Sequence, residues 1–232
     1  LTLVEEVARI VGYDRIPSVL PIAPPGRGLT RAQSARRRAA ATLAAVADWL
    51  ERANAEHGFD ALGIASFGPL CLDRGSAGFG RILETPKAGW AGVDVVGTLV
   101  GRLGVPVSFD TDVAGAALAE GYWGASVGCA VHVYLTIGTG VGGGIVIDGK
   151  PLHGAIHPEI GHVRVRRAAG DDFPGACPVH GDCLEGLVSG PAIALRAGRP
   201  AEALLPADLL WDLVAGELAE LMQMLILTLS PH

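Results

Sequence analysis

The sequence predicts an α/β fold, and three observations predict it. Between residues 61 and 122, apolar runs of strand length alternate with stretches of helical spacing, the pattern of strands paired in parallel. In the middle of the chain, VHVYLTI at 131–137 and IVIDG at 145–149 flank a glycine cluster, which implies a hairpin. Residues 208–229 carry leucines at helical intervals over more than five turns.

Residues 3–11 (LVEEVARIV) have helical spacing and stop at Gly12, and residues 13–28 are extended and Pro-rich, like an arm or linker. Thr30 opens a second helix, with Gln33 completing a capping box. Leu43, Val46, Leu50 and Ala53 share the inner face of that helix, and Gly58 ends it. ALGIAS at 61–66 reads as a buried strand, followed by a Gly68-Pro69 turn. An amphipathic helix over 92–103, a strand at 105–109 (VPVSF) and an Ala-rich helix over 113–122 come next. The hairpin follows, and residues 157–190 are polar, loop-like and rich in His, Cys and Pro. In the last helix, Leu209, Leu213, Leu218, Leu221, Leu225 and Leu229 are expected to be largely buried.

Composition narrows the function classes. With 232 residues, half of them hydrophobic and 18% charged, the chain can bury a core and is not generally disordered. A net charge of −6 argues against non-specific nucleic-acid binding. No apolar run reaches the roughly 18–20 residues of a membrane span, and Glu5 and Glu6 stand where a leader would be basic and then apolar. Four cysteines, two of them clustered with histidine, fit a reducing cytoplasm and a metal site. The expected location is cytoplasmic, with neither membrane nor nucleic acid as partner. The chain begins at Leu1 rather than Met, which reads as a fragment or an alternative start. Arginine dominates the basic residues, the only lysines being Lys87 and Lys150.

The metal candidates are His162, Cys177, His180 and Cys183. Two thiolates and two imidazoles can close a tetrahedral shell around Zn²⁺, and the two-residue spacings let one tight turn present successive ligands. The alternative is a pair of incidental thiols or a disulfide, which leaves both histidines unexplained.

Gly138, Thr139, Gly140, Gly142, Gly143 and Gly144 form the glycine cluster. Free backbone N–H groups in such a run cradle phosphate, whereas a tight hairpin can need glycine for steric reasons alone. A dinucleotide fingerprint is excluded because a strand follows rather than a helix, and a P-loop because Pro151 stands where Ser or Thr is required. Asp112 lies at a strand end and a helix start, as a general base or merely the helix cap. Glu159 and Glu185 flank the metal candidates, either to hold sugar hydroxyls or as solvated loop charges. His132 is read as a satisfied residue of an apolar strand, Arg36–Arg38 as a solvated helix face, and Trp90 and Trp123 as packing residues. Cys71 and Cys129 have no partner pattern.

Several segments occur in the order found in one family. GIASFGPL at 63–70, TPKAGW at 85–90, DTDVAGAALAEGYWGA at 110–125, TIGTGVGGGIV at 136–146, HPEIGH at 157–162 and CPVHGDCLEGLVSGPAI at 177–193 resemble the ROK sugar kinases. The metal loop and the SFGP turn resemble those of bacterial fructokinases. The likeness runs from about residue 42 to the end. It implies an actin-like, hexokinase-like (ribonuclease H-like) two-domain fold with the sugar in the interdomain cleft. Residues 41–111 would be a partial small domain, and residues 112–232 a large domain with its zinc loop at 157–190. The resemblance casts Asp112 as the base that deprotonates the sugar hydroxyl. Glu159, His162 and Glu185 would hold the sugar, and Gly138, Thr139, Gly140, Gly142 and Gly143 would face the phosphates of ATP, bound with Mg²⁺. His162, Cys177, His180 and Cys183 would hold structural Zn²⁺.

Three departures accompany the likeness. Residues 1–40 (EVARIVGYDRIPSVLP, then PPGRGLTRAQ) resemble part of a phenylalanine–tRNA synthetase β subunit rather than the kinases' opening phosphate loop. The chain stops at LILTLSPH, where the family continues, and Ala114 stands where many members carry a sugar-contacting Asn. The expectation is therefore an incomplete kinase core with exposed sheet edges and apolar helix faces, assembling as a homodimer or aggregating. The leading activity is ATP-dependent phosphorylation of a hexose, fructose to fructose 6-phosphate first. The alternatives are a non-catalytic, zinc-stabilised sugar-binding module and a tRNA-synthetase-related fragment.

Overall fold

A computed structural model describes residues 28–232. The expected helix at 3–11, the Pro-rich arm up to residue 27 and most of the synthetase-like segment lie outside the described residues. Helix α1 (Arg31–His57) starts on the expected capping box: Thr30 Oγ1 accepts from Gln33 N–H, and Gln33 Oε1 accepts from Thr30 N–H. It ends at Gly58, whose φ of 70° is a conformation most side chains resist. Its buried face is Ala35, Ala39, Leu43, Ala47 and Leu50. Val46 is instead exposed; it lies three residues after Leu43, but Ala47, one residue on, is the side chain buried against the neighbouring layer.

Strand β1 (Leu62–Ser66) pairs in parallel with β2 (Val107–Thr111), with Leu62 opposite Val107 and Ser66 opposite Thr111. Helix α2 (Val95–Val100) lies between them in sequence and packs on α1. It is half the length expected from residues 92–103, because Asp94 caps it and Gly101 closes it. Together α1, β1, α2 and β2 enclose one core, centred on Leu43, Leu50, Leu70, Ile82, Leu99 and Phe109.

Helix α3 (Asp112–Trp123) follows β2 without a loop. Strands β3 (Val131–Ile137), β4 (Val141–Ile147) and β5 (Lys150–Pro151) form an antiparallel meander. A second core joins Val141, Ile145 and Ile160 to three further helices: α4 (Leu184–Val188), α5 (Gly190–Ala197) and α6 (Leu210–Leu229). Residues 157–190 are thus less loop-like than their polarity suggests, since they contain α4 and a 3₁₀ turn at Ile160–His162. Helix α6 buries Val214, Glu217, Leu221 and Leu225. Leu209 is 80% exposed just before it, contrary to expectation, and Met222, Ile226 and Leu227 are exposed along it. Trp123, expected to pack, is 84% exposed, whereas Trp90 meets Phe67 edge to face at 5.3 Å. No helix among the described residues is long and apolar enough to cross a membrane.

The glycines of β4 explain how α3 reaches the sheet. A Cβ on Gly144 would lie 2.3 Å from the Val113 carbonyl oxygen, and one on Gly142 would lie 2.9 Å from Val113 Cγ1. On the same helix, a Cβ on Gly115 would lie 2.9 Å from Ala65 Cβ of β1. Helix α3 therefore bridges the two cores and carries Asp112 to their junction. Gly144→Ala should lower stability by about 2 kcal/mol or more, because the clash is with backbone that no rotamer change relieves. Gly138→Ala, with nothing within 4 Å of its Cβ, should leave the melting temperature within a degree or two. Thermal unfolding of the two variants beside wild type checks this contrast, and equal melting temperatures would refute it.

Behind the metal loop, Arg196 of α5 forms a two-pronged pair with Glu217 of α6 (Nη1–Oε2 and Nη2–Oε1, both 2.9 Å) and also contacts Asp171. All three side chains are buried. Burial opposes ionisation of Asp171, but the Arg167 hydrogen bond, the Phe173 N–H and the two guanidinium charges outweigh it and lower its pKa. The native pKa lies below the unfolded one, so this anchor acts in full above the ordinary carboxylate range. It weakens as the pH falls through the lowered value.

Candidate active-site cleft and metal centre

Asp112 stands at the first position of α3, yet it is not the cap. Thr111 is, its Oγ1 accepting from Ala114 N–H at 3.1 Å, with the residue 3% exposed. Capping by Thr111 leaves the Asp112 carboxylate exposed, its only hydrogen bond among the described residues coming from the adjacent Val113 N–H at 2.9 Å. It faces a cleft of about 540 Å³. Gly138, Thr139, Gly140, Gly142, Gly143, Glu159, His162, Cys177 and Glu185 line the same cleft. His180 and Cys183 do not, and complete the metal cluster behind its wall. A second cavity of about 500 Å³, lined by Arg196, Arg199, Leu204 and Leu213 among others, contains none of the expected site residues.

The glycine cluster divides into two parts. Gly142, Gly143 and Gly144 belong to β4, and their missing side chains make room for Val113, Ile160 and Leu135. The steric reading therefore holds for these three. The hairpin tip is residues 138–140. Gly138 N–H donates to Gly140 O at 2.9 Å, and Gly190 N–H donates to Gly138 O at 2.7 Å. The N–H groups of Thr139 and Gly140 have no acceptor among the described residues, and they are the donors a phosphate could take.

Glu185 clamps this hairpin. Its Oε2 accepts from Val141 N–H at 3.0 Å and would lie 2.7 Å from a Cβ on Gly140. One oxygen of the expected sugar ligand is thus committed to the protein, the other being free to face the cleft. Glu159 belongs to the turn before the 3₁₀ helix and makes no capping bond.

Sequence reasoning missed His157, although it opens the HPEIGH segment. The residue is 6% exposed and lines the cleft. Leu70 N–H donates to its Nε2 at 3.2 Å, so that nitrogen carries no proton. The ring proton therefore sits on Nδ1, 3.4 Å from Glu159 Oε1. His157 ties the SFGP turn to the loop that carries Glu159. The available signal was a histidine beside Pro158 in a quoted motif, but nothing in the spacing reveals a partner 87 positions earlier.

The four metal candidates converge. Their donor atoms all lie within 4.8 Å of one another. His162 Nδ1 is 3.5 Å from Cys183 Sγ and 3.9 Å from Cys177 Sγ, and Cys177 Sγ is 3.9 Å from His180 Nδ1. Tetrahedral zinc with ordinary bond lengths sets donors about 3.3–3.8 Å apart. The cysteines are free thiols, so the disulfide reading fails. Burial above all, with the neighbouring Cys177 thiol and Glu185 charge adding to it, raises the Cys183 thiol to about 11. A buried pair of thiols beside two imidazoles is a donor set that a dication fits. The loop is braced by the Arg164–Asp182 ion pair and by Leu184 N–H donating to Val163 O at 2.9 Å.

The ROK family model matches residues 27–231. The chain belongs to the ROK family. It is 43% identical over 211 residues to a fructokinase of Zymomonas mobilis, covering 90% of this chain and 64% of that protein. The solved ROK hexokinase from Thermus thermophilus superposes with a TM-score of 0.66 at 29% identity, covering 82% of this chain and 66% of that one. A ROK family glucokinase from Streptomyces griseus, in complex with glucose and AMPPNP, superposes with a TM-score of 0.52 at 29% identity, covering 67% of this chain and 47% of that one. This ROK chain therefore has the actin-like fold of the hexokinases and spans less than two thirds of the length of the fructokinase. A separate stretch of 42 residues, 18% of the chain, is 79% identical to the phenylalanine–tRNA ligase β subunit of Leifsonia xyli, where it covers 5% of that protein.

Proposed function

We infer that this ROK chain carries the catalytic core of a sugar kinase that transfers the γ-phosphoryl group of MgATP to a hexose, with fructose the first acceptor. The observation that carries the reading is the cleft. A carboxylate relieved of capping duty by Thr111 shares one cavity with Glu159, Glu185 and a hairpin tip where the Thr139 and Gly140 N–H groups lack acceptors among the described residues. Asp112 takes the proton from the acceptor hydroxyl as its oxygen attacks the γ-phosphorus. The bond from that phosphorus to the bridging oxygen breaks, and ADP leaves. Glu159, Glu185 and His162 accept from or donate to sugar hydroxyls and fix the attacking oxygen. Thr139 and Gly140 present their N–H groups to the phosphates. Residues 41–111 form the smaller lobe and residues 112–232 the larger one, with the cleft between.

His162, Cys177, His180 and Cys183 would hold a structural Zn²⁺, which supplies a cross-link and no chemistry of its own. In sequence, the two sugar-facing carboxylates, Glu159 and Glu185, bracket its four ligands. The fructokinase relative supports fructose as acceptor, and the nucleotide-bound glucokinase supports ATP as donor.

The test is ADP release by the purified chain with MgATP and fructose, run beside glucose, mannose and no sugar. Fructose-dependent release above the other sugars is expected. Silence from folded, metal-loaded protein would overturn the kinase reading.

A further inference from the structure

The cleft lining is acidic, and it contains one fixed cation. Asp112, Glu159 and Glu185 contribute carboxylates, and Lys87 is the only lysine or arginine among the lining residues. His157 holds its proton on Nδ1 through the Leu70 contact, and the Nδ1 of His162 faces the two thiols. A reaction that ends with a phosphomonoester in this cleft leaves two negative charges beside three carboxylates. Some cation must offset them after the nucleotide has gone.

Lys87 is built for that position. Its Nζ lies 3.6 Å from the centroid of the Phe67 ring, and Phe67 also lines the cleft. Trp90 braces that ring edge to face at 5.3 Å. The backbone under Lys87 is fixed from both sides: its N–H donates to Thr85 Oγ1 at 3.3 Å, and its carbonyl accepts from Trp90 N–H at 3.2 Å. Gly89, at φ 88°, lets the segment lie against α1, where a Cβ would meet Ala35 backbone at 2.4 Å. No carboxylate pairs with Lys87 among the described residues, so an aromatic face holds the ammonium and its charge is not neutralised. The residue type is informative as well. The chain has 18 basic residues and only two are lysine. At position 87 it has the compact ammonium, a point charge that suits a phosphate oxygen, rather than the broad guanidinium used at most other basic positions.

We propose that Lys87 binds the phosphoryl group of the hexose phosphate formed in the cleft, and so discriminates product from sugar. The inference rests on the kinase reading above and adds a residue and a ligand charge to it. The ammonium donates hydrogen bonds to phosphate oxygens, while the carboxylates hold the hydroxyls of the same molecule.

Calorimetric titration of wild type and Lys87→Met with fructose and with fructose 6-phosphate separates the roles, with melting temperature as the check on folding. In Lys87→Met the affinity for fructose 6-phosphate should fall at least about tenfold, while the affinity for fructose stays within twofold. Loss of both affinities together would make Lys87 structural and overturn the proposal, as would no loss of either. A wild-type chain that binds neither ligand would overturn this proposal and the kinase reading together. Fructose binding combined with a phosphate affinity indifferent to Lys87 would sink this proposal alone.

Discussion

Asp112→Asn should lower kcat for sugar phosphorylation by about a thousandfold, with the KM for sugar within a few fold and the fold and metal content unchanged. The argument begins with the Thr111 hydroxyl, which already caps α3. Asparagine at 112 therefore removes no cap, only the modest interaction of one negative charge with the helix dipole, and the melting temperature should stay near that of wild type. The amide also keeps an oxygen that can accept from Val113 N–H as Asp112 Oδ1 does at 2.9 Å. What it cannot do is take a proton from the acceptor hydroxyl. Without that step the attacking oxygen must lose its proton to a water molecule that no residue positions. A loss confined to kcat is the mark of an interaction made in the transition state. Activity within tenfold of wild type would remove Asp112 as the base.

The sequence exposed this site unevenly, and the reasons are physical. Local signals were reliable: the Thr30–Gln33 capping box and the strand at 131–137 both depend on residues a few positions apart. The choice between cap and base at Asp112 was not legible, because it turns on where the helix begins to within one residue, and Thr111 and Asp112 are both good caps. The glycines of β4 resembled a phosphate loop because their steric cause, Val113, comes from another element. His157 was overlooked for the same reason, since its meaning lies in the Leu70 amide. Leucine spacing over 208–229 located a helix but could not say which face would find a partner, so Leu209 was misplaced. The four metal candidates were the exception among long-range features. Cysteine and histidine at ligand spacing imply convergence by their chemistry alone, and the donors do converge.

Removing one of those donors should produce the second large effect. Wild-type protein is expected to carry about one zinc per chain, and Cys183→Ser is expected to carry none. The fully buried Cys183 stands at the start of α4, two residues before Glu185, and His162 stands three residues after Glu159. Much of the chain between these two ligands has no helix or strand of its own. Its far end is secured by Asp171 on Arg196, while its near ends meet only at the donor cluster. Without the ion, the variant keeps one thiol, a serine hydroxyl and two imidazoles packed together, and chelated wild type keeps two thiols, of which Cys183 is raised to about 11 by burial; in both cases nothing offsets their desolvation. The loop should then open, carrying Glu159 and Glu185 away from the sugar. Three readouts should therefore move together: zinc content, protease resistance of residues 163–183, and sugar affinity, which should fall by tenfold or more (about 1.4 kcal/mol or above). Chelation of wild type should reproduce the pattern, and adding zinc back should reverse it only where both thiols remain. A Cys183→Ser protein with full zinc, or a metal-free protein with unchanged sugar affinity, would refute this account of how the cross-link positions the carboxylates.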